Sequence, residues 1–143
     1  MNWREEAVQR LSDYRYVRNS IRSMQNQIKQ LQMEAEGIKS RSFDQISVPG
    51  NAGRREDRLL NNLVCRQQLE QAVEQADLWV QITDQALQSL MPEDKQLLDQ
   101  IYIQGERANV TDIAAQMGME RSTIYRRKDE ALRRFTVALY GVS

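Results

Sequence analysis

Apolar residues recur at alternating spacings of three and four from Tyr14 to Ile38. Tyr14, Ile21, Ile28 and Ala35 occupy one core position of a heptad frame, and Val17, Met24, Leu31 and Ile38 occupy the other. Eight consecutive core positions are therefore apolar over about four heptads, enough for a coiled coil, and the flanks are Arg, Gln, Asn and Glu. Residues from about Glu5 to Ser40 contain no proline and one glycine. At ~1.5 Å per residue the predicted helix is roughly 50 Å long, too long to be buried in a domain of this size.

The run Ser47-Val48-Pro49-Gly50-Asn51-Ala52-Gly53 dictates a turn or loop and is the clearest break in the chain. After basic Arg54 and Arg55, a second heptad pattern runs from about Glu56 to Leu90. Leu59, Val73, Val80 and Leu87 share one seam position, and Leu69, Ala76 and Leu90 the other. Asn62, Arg66 and Thr83 interrupt this seam. Two helices of similar length around one loop predict an antiparallel hairpin, while a homodimer through the first helix fits the heptads equally well.

Met91-Pro92 ends that segment. Pro92 suits the first turn of a new helix, and Glu93 and Asp94 complement its positive end. Its core face is Leu97, Leu98, Ile101 and Tyr102, and it stops near Gln104-Gly105. Asn109 is a good N-cap for a short helix carrying Ile113, Ala114 and Met117. Gly118 follows, where the chain must turn through positive φ. A last helix runs from about Glu120-Arg121 to Tyr140, with Gly141 as its stop. No strand pattern is present. The fold class is all-α: a long helical hairpin or coiled coil at 1–90, with its loop at 41–56, then a helix-turn-helix domain at 91–143.

A helix-turn-helix needs a small residue where its helices cross, a turn glycine four positions later, and an apolar pin on the second helix. Ala114, Gly118 and Ile124 have that spacing, and Ile113, Met117 and Met119 fill the wedge. The last helix should bury Ile124, Ala131, Leu132, Phe135 and Leu139. At about 100° per residue its opposite face presents Ser122, Arg126, Asp129 and Arg133, flanked by Thr123 and Tyr125. Arginine donates two hydrogen bonds to a guanine edge, and hydroxyls and arginines grip phosphates. Arg121, Ser122, Tyr125 and Arg126 lie at the end such helices insert into the major groove. Arg127 and Arg133, with Lys128 and Arg134, are expected at the DNA backbone or along the domain edge, Lys128 close to the buried side.

Charge sharpens this picture. The 143 residues carry 20 bases and 20 acids, but Leu59–Glu120 holds ten acids against three bases, and Arg121–Ser143 six bases against two acids. A basic last helix beside an acidic middle makes one focused electrostatic footprint, and a pI near 6.3 speaks against nonspecific polyanion binding. The acidic run Glu70–Asp84 is read as a solvated helix face, and Trp3 and Trp79 as packing residues. With no histidine and Cys65 the single cysteine, triad catalysis, His-ligated metal sites and intrachain disulfides are excluded. No phosphate-cradling glycine motif occurs. No enzyme activity, cofactor or metal is expected. The chain also lacks an apolar run near the ~20 residues of a membrane span and a secretory leader, so a soluble cytoplasmic protein is expected.

The stretches Leu90–Tyr102, Val110–Gly118, Ser122–Arg126 and Ala131-Leu132 resemble the DNA-binding region 4 of bacterial sigma factors. With the heptad helix, the Ser-Val-Pro-Gly-Asn-Ala-Gly linker and the ending Phe135…Ala138-Leu139-Tyr140-Gly141, the chain is similar to ArpU/RinA-type transcriptional regulators of phages and prophages of Gram-positive bacteria. The resemblance implies a regulator of phage late genes acting at a promoter in the bacterial host, with double-stranded DNA and host RNA polymerase as partners. Region 4 modules read the −35 element, and the positions carried over are Arg121, Ser122, Tyr125 and Arg126. Two residues depart from the pattern: Glu120 stands where Ser or Thr commonly caps the recognition helix, and Arg127 stands at a place often apolar. Two other readings compete. A small terminase-like packaging protein would form a ring. An HTH-like protein-interaction module would tolerate charge reversal at Arg126 and Arg133.

Overall fold

The computed structural model describes residues 1–41, 51–105 and 109–143. It contains α1 (Trp3–Arg41), α2 (Asn51–Gln88), α3 (Pro92–Leu98) continued by a π-helical turn (Asp99–Ile103), α4 (Val110–Met117) and α5 (Arg121–Tyr140). No strand occurs among the described residues, and the all-α class holds: a long α1/α2 hairpin followed by a helix-turn-helix. The Ser47–Gly50 part of the expected break lies outside the described residues, as do Glu106 and Arg107 of the acidic middle.

The second long helix begins at Asn51, not near Glu56, and α1 runs to Arg41, so the connection is shorter than the expected 41–56 loop. The reason is local. Gly53 costs a helix only about 1 kcal/mol relative to Ala, and Ala52, Arg54 and Arg55 are good helix formers. They carry the helix back to Asn51, over the last three residues of the apparent turn signal.

Two compact units emerge: Asn19–Asp77, and Met1–Arg18 together with Leu78–Ser143. In the first, the α1 seam meets the α2 seam in antiparallel order. Ala35 is buried and Ile21, Met24, Ile28, Leu31 and Ile38 are half-buried, as are Leu59, Leu69, Val73 and Ala76 opposite. Asn62 is buried in the seam; its Nδ2 donates to the Leu31 carbonyl at 2.8 Å, and its Oδ1 accepts from Arg66 Nε at 2.8 Å. The residues that break the heptad are thus its polar pins. A satisfied polar side chain at a seam position selects one register, because every slip leaves it unpaired.

The second unit has the larger core. Ala7 and Leu11 of α1, Ala86 and Leu87 of α2, Leu98 of α3, and Ala131, Leu132 and Phe135 of α5 form one buried cluster. The boundary expected from the sequence between hairpin and helix-turn-helix falls at residue 90. Compactness groups the residues differently because this core takes side chains from both. Trp3 packs on Tyr140 with ring centroids 4.8 Å apart. Arg10 lies 4.6 Å over the Trp79 ring while its Nε donates to Thr83 Oγ1 at 2.6 Å and its Nη2 to the Trp79 carbonyl at 3.1 Å. Thr83, the third interruption of the heptad, is therefore a fully satisfied buried hydroxyl. The Tyr14 hydroxyl donates to Asp84. Burial, and then that carboxylate, hold the Tyr14 phenol above its ordinary pKa.

Candidate nucleic-acid interface

The helix-turn-helix starts at Asn109, whose extended backbone lets its Oδ1 accept from the Thr111 amide at 3.0 Å. Helix α4 ends on Gly118, left-handed at φ 65° and ψ 32°. The Met119 amide there bonds the Ala114 carbonyl at 2.9 Å, and the Gly118 amide the Ala115 carbonyl at 3.4 Å. This is the paired closure that lets the chain reverse within three residues, and a side chain at Gly118 would strain it. Leu97, Ile113, Ala114 and Ile124 form a buried cluster, with Met117 and Met119 packed against it. The wedge expected from the Ala-Gly-Ile spacing is present.

Glu120 takes the N-cap position of α5 with extended backbone and no side-chain hydrogen bond. The last helix therefore starts with an uncapped amide. Glu120→Ser should stabilise the unit by about 1 kcal/mol, since its hydroxyl can accept from an orphan N–H that the longer glutamate misses. Urea unfolding measures this; a destabilised variant would show that the carboxylate's interaction with the helix dipole outweighs capping.

The side of α5 away from the core is open. Arg121, Ser122, Tyr125, Arg126, Asp129 and Arg133 are all exposed, while Ile124, Ala131, Leu132, Phe135 and Thr136 are buried. Among the described residues, Arg121, Arg126 and Arg133 make no ion pair. Thr123 and Arg127 are half-buried at the edge of this face. Lys128 stays close to the buried side, 5.3 Å from the Tyr125 ring and 3.8 Å from Asp129. Tyr102 lies in the field of Asp129; burial, and then that negative charge, hold its phenol above the ordinary value. It remains a neutral hydroxyl at physiological pH.

Two arginines of α5 are engaged by α3. Arg127 Nη1 approaches Glu93 Oε2 at 3.5 Å, and Arg134 Nη1 bonds Asp94 Oδ2 at 2.8 Å. Sequence reasoning treated Glu93 and Asp94 as helix-dipole partners only, and nothing in their spacing reveals these contacts. The Asp94 side chain is 13% exposed, so its bond to Arg134 is the stronger of the two. Asp94→Ala should cost about 1–3 kcal/mol, the range for a hydrogen bond to a charged group. A double-mutant cycle with Arg134→Ala measures the coupling; additive effects would deny that the pair holds α3 on α5. Leu139 is half-buried rather than buried. The buried Thr136 was missed; its hydroxyl donates to the Leu132 carbonyl at 2.6 Å.

A capped short helix, a left-handed glycine turn and a longer helix with a buried apolar side and a basic open side define a helix-turn-helix. The comparisons agree: residues 86–135 match the family model described as Sigma-70, region 4. The matched stretch runs from the end of α2 through α3, the π-helical turn and α4 into α5, about a third of the chain. Neither a curated protein nor a solved structure was found to match the chain. No helix among the described residues is long and apolar enough to cross a membrane.

Proposed function

We propose that this protein is a sequence-specific regulator of transcription that binds promoter DNA through α5. The reading rests above all on the exposed side of that helix, where Arg121, Ser122, Arg126 and Arg133 are open and the three arginines make no ion pair among the described residues. In this reading Arg121, Ser122, Tyr125 and Arg126 enter the major groove. Asp129 accepts from a cytosine amino group, Thr123 borders the groove, and Arg127 and Arg133 follow the phosphates. The sigma-70 region 4 match supports DNA binding and transcription regulation. The wider likeness to ArpU/RinA-type proteins extends the proposal to phage late genes, in a bacterial cytoplasm and with host RNA polymerase as a second partner.

The test is selection of bound duplexes from a random pool at two salt concentrations. A recovered motif, with affinity that falls steeply as salt rises, supports the proposal. Equal recovery of all sequences at both concentrations refutes specific recognition.

A further inference from the structure

Arg127 and Arg134 stand two helical turns apart on α5, so their side chains leave the helix within about 20° of one another. That line of α5 meets α3, whose consecutive acids Glu93 and Asp94 take one arginine each. The two pairs differ in kind. Arg134 Nη1 bonds Asp94 Oδ2 at 2.8 Å, and this carboxylate is largely withdrawn from water. Arg127 Nη1 stands 3.5 Å from Glu93 Oε2, with 40% of the arginine side chain and 71% of the glutamate side chain exposed. The first pair is a fixed strut. The second is a surface pair, screened by solvent, which favours contact by a factor of only about two to five. Another anion can take Arg127 from it.

Position says which anion. Arg127 follows Arg126 directly and is half-buried at the edge of the open side of α5, where Arg121 and Arg126 are exposed. Those two make no ion pair among the described residues. A duplex seated on that side brings phosphate oxygens to the edge, where they compete with Glu93 for one guanidinium. Arg134 lies two turns further from the inserted end, and its acid is desolvated, so it stays with α3.

We infer that Glu93 is a brake on DNA binding: it holds Arg127 against phosphate and lowers the affinity for every duplex alike, while Arg121 and Arg126 stay free to read bases. The inference rests on the DNA-binding reading of α5 and adds a positioning residue that touches no base. The brake acts on the backbone term alone, because a phosphate contact carries no sequence information. It also flattens the salt dependence. A free arginine that neutralises a phosphate releases about one condensed cation. Arg127 drawn away from Glu93 leaves a bare carboxylate that gathers cations of its own, so fewer are released on balance. The protein is thereby held less firmly by random sequence.

The test compares the full chain with its Glu93→Gln variant, which keeps the shape and removes the charge. Each is titrated with a random-sequence duplex and with a selected one across a salt series. Glu93→Gln should bind both about two- to fivefold more tightly at low salt, keep the ratio between them, and steepen the salt slope by up to about one. In an Arg127→Ala chain the same change should lose the greater part of that gain. Unchanged affinity and slope in Glu93→Gln overturns the inference. So does a gain of which the greater part survives without Arg127, since Glu93 would then repel DNA directly. A parent chain that binds neither duplex removes the DNA-binding reading and the brake with it. A parent that binds as proposed, with Glu93→Gln indistinguishable from it, removes the brake alone.

Discussion

Phe135→Ala should lower the unfolding free energy of the unit containing the helix-turn-helix by about 3–5 kcal/mol. Phe135 is fully buried and joins α5 to Ala7 and Leu11 of α1, Ala86 and Leu87 of α2, and Leu98 of α3. Its removal loses the transfer free energy of a phenyl ring and leaves a cavity that four rigid helical segments cannot collapse to fill. Against the ~5–15 kcal/mol that keeps a domain folded, that loss is a large fraction. Urea unfolding followed by circular dichroism measures it. Val137→Ala, two residues along α5 at an exposed position, is the control and should change stability by less than 1 kcal/mol. A Phe135→Ala chain within 1 kcal/mol of the parent would mean that the cluster does not hold the unit together.

Arg126→Ala should weaken binding to a selected duplex by about 1–3 kcal/mol, roughly tenfold to more than a hundredfold, and relax base preference at one position. The expectation follows from its place on the open side of α5, where no acid among the described residues occupies it. Its removal should leave stability unchanged, so the loss belongs to the DNA contact. Arg133→Ala separates the two kinds of contact. If Arg133 meets phosphate, its loss lowers affinity for all sequences alike and reduces the salt slope by about one. Arg126→Ala binding with unchanged affinity and unchanged preference would remove this helix face from the recognition surface.

The helices and the turn were legible because the signals that make them act over a few residues. The α1 heptad, the Asn109 cap, the positive φ of Gly118 and the stop at Gly141 were all readable in this way, and so was the open side of α5. The α2 seam was harder. Asn62, Arg66 and Thr83 looked like interruptions because their roles depend on partners remote in sequence: the Leu31 carbonyl for Asn62, and Arg10 for Thr83. The start of α2 was misplaced because Asn-Ala-Gly reads as a turn, whereas helix propensity in the residues around it extends the helix. Helical angle set Arg127 and Arg134 apart from the open face, but nothing marked them as the arginines that pair with acids of another helix. Desolvation and ion pairing depend on which side chain arrives alongside, and Glu93 and Asp94 arrive from another helix.

Periodicity, cap chemistry and the conformational freedom of glycine were enough to assign the helices, place the tight turn and say which side of the last helix is apolar. These are properties of a helix and its ends, written in neighbours no more than a turn or so away. Packing decided the rest. Both helices of the hairpin contribute to the core beneath α5, polar residues set its register, and two of the arginines on α5 are drawn to α3 while others stay open. Those outcomes depend on contacts between residues tens of positions apart, whose strength is set by burial and proximity that exist only once the chain has folded.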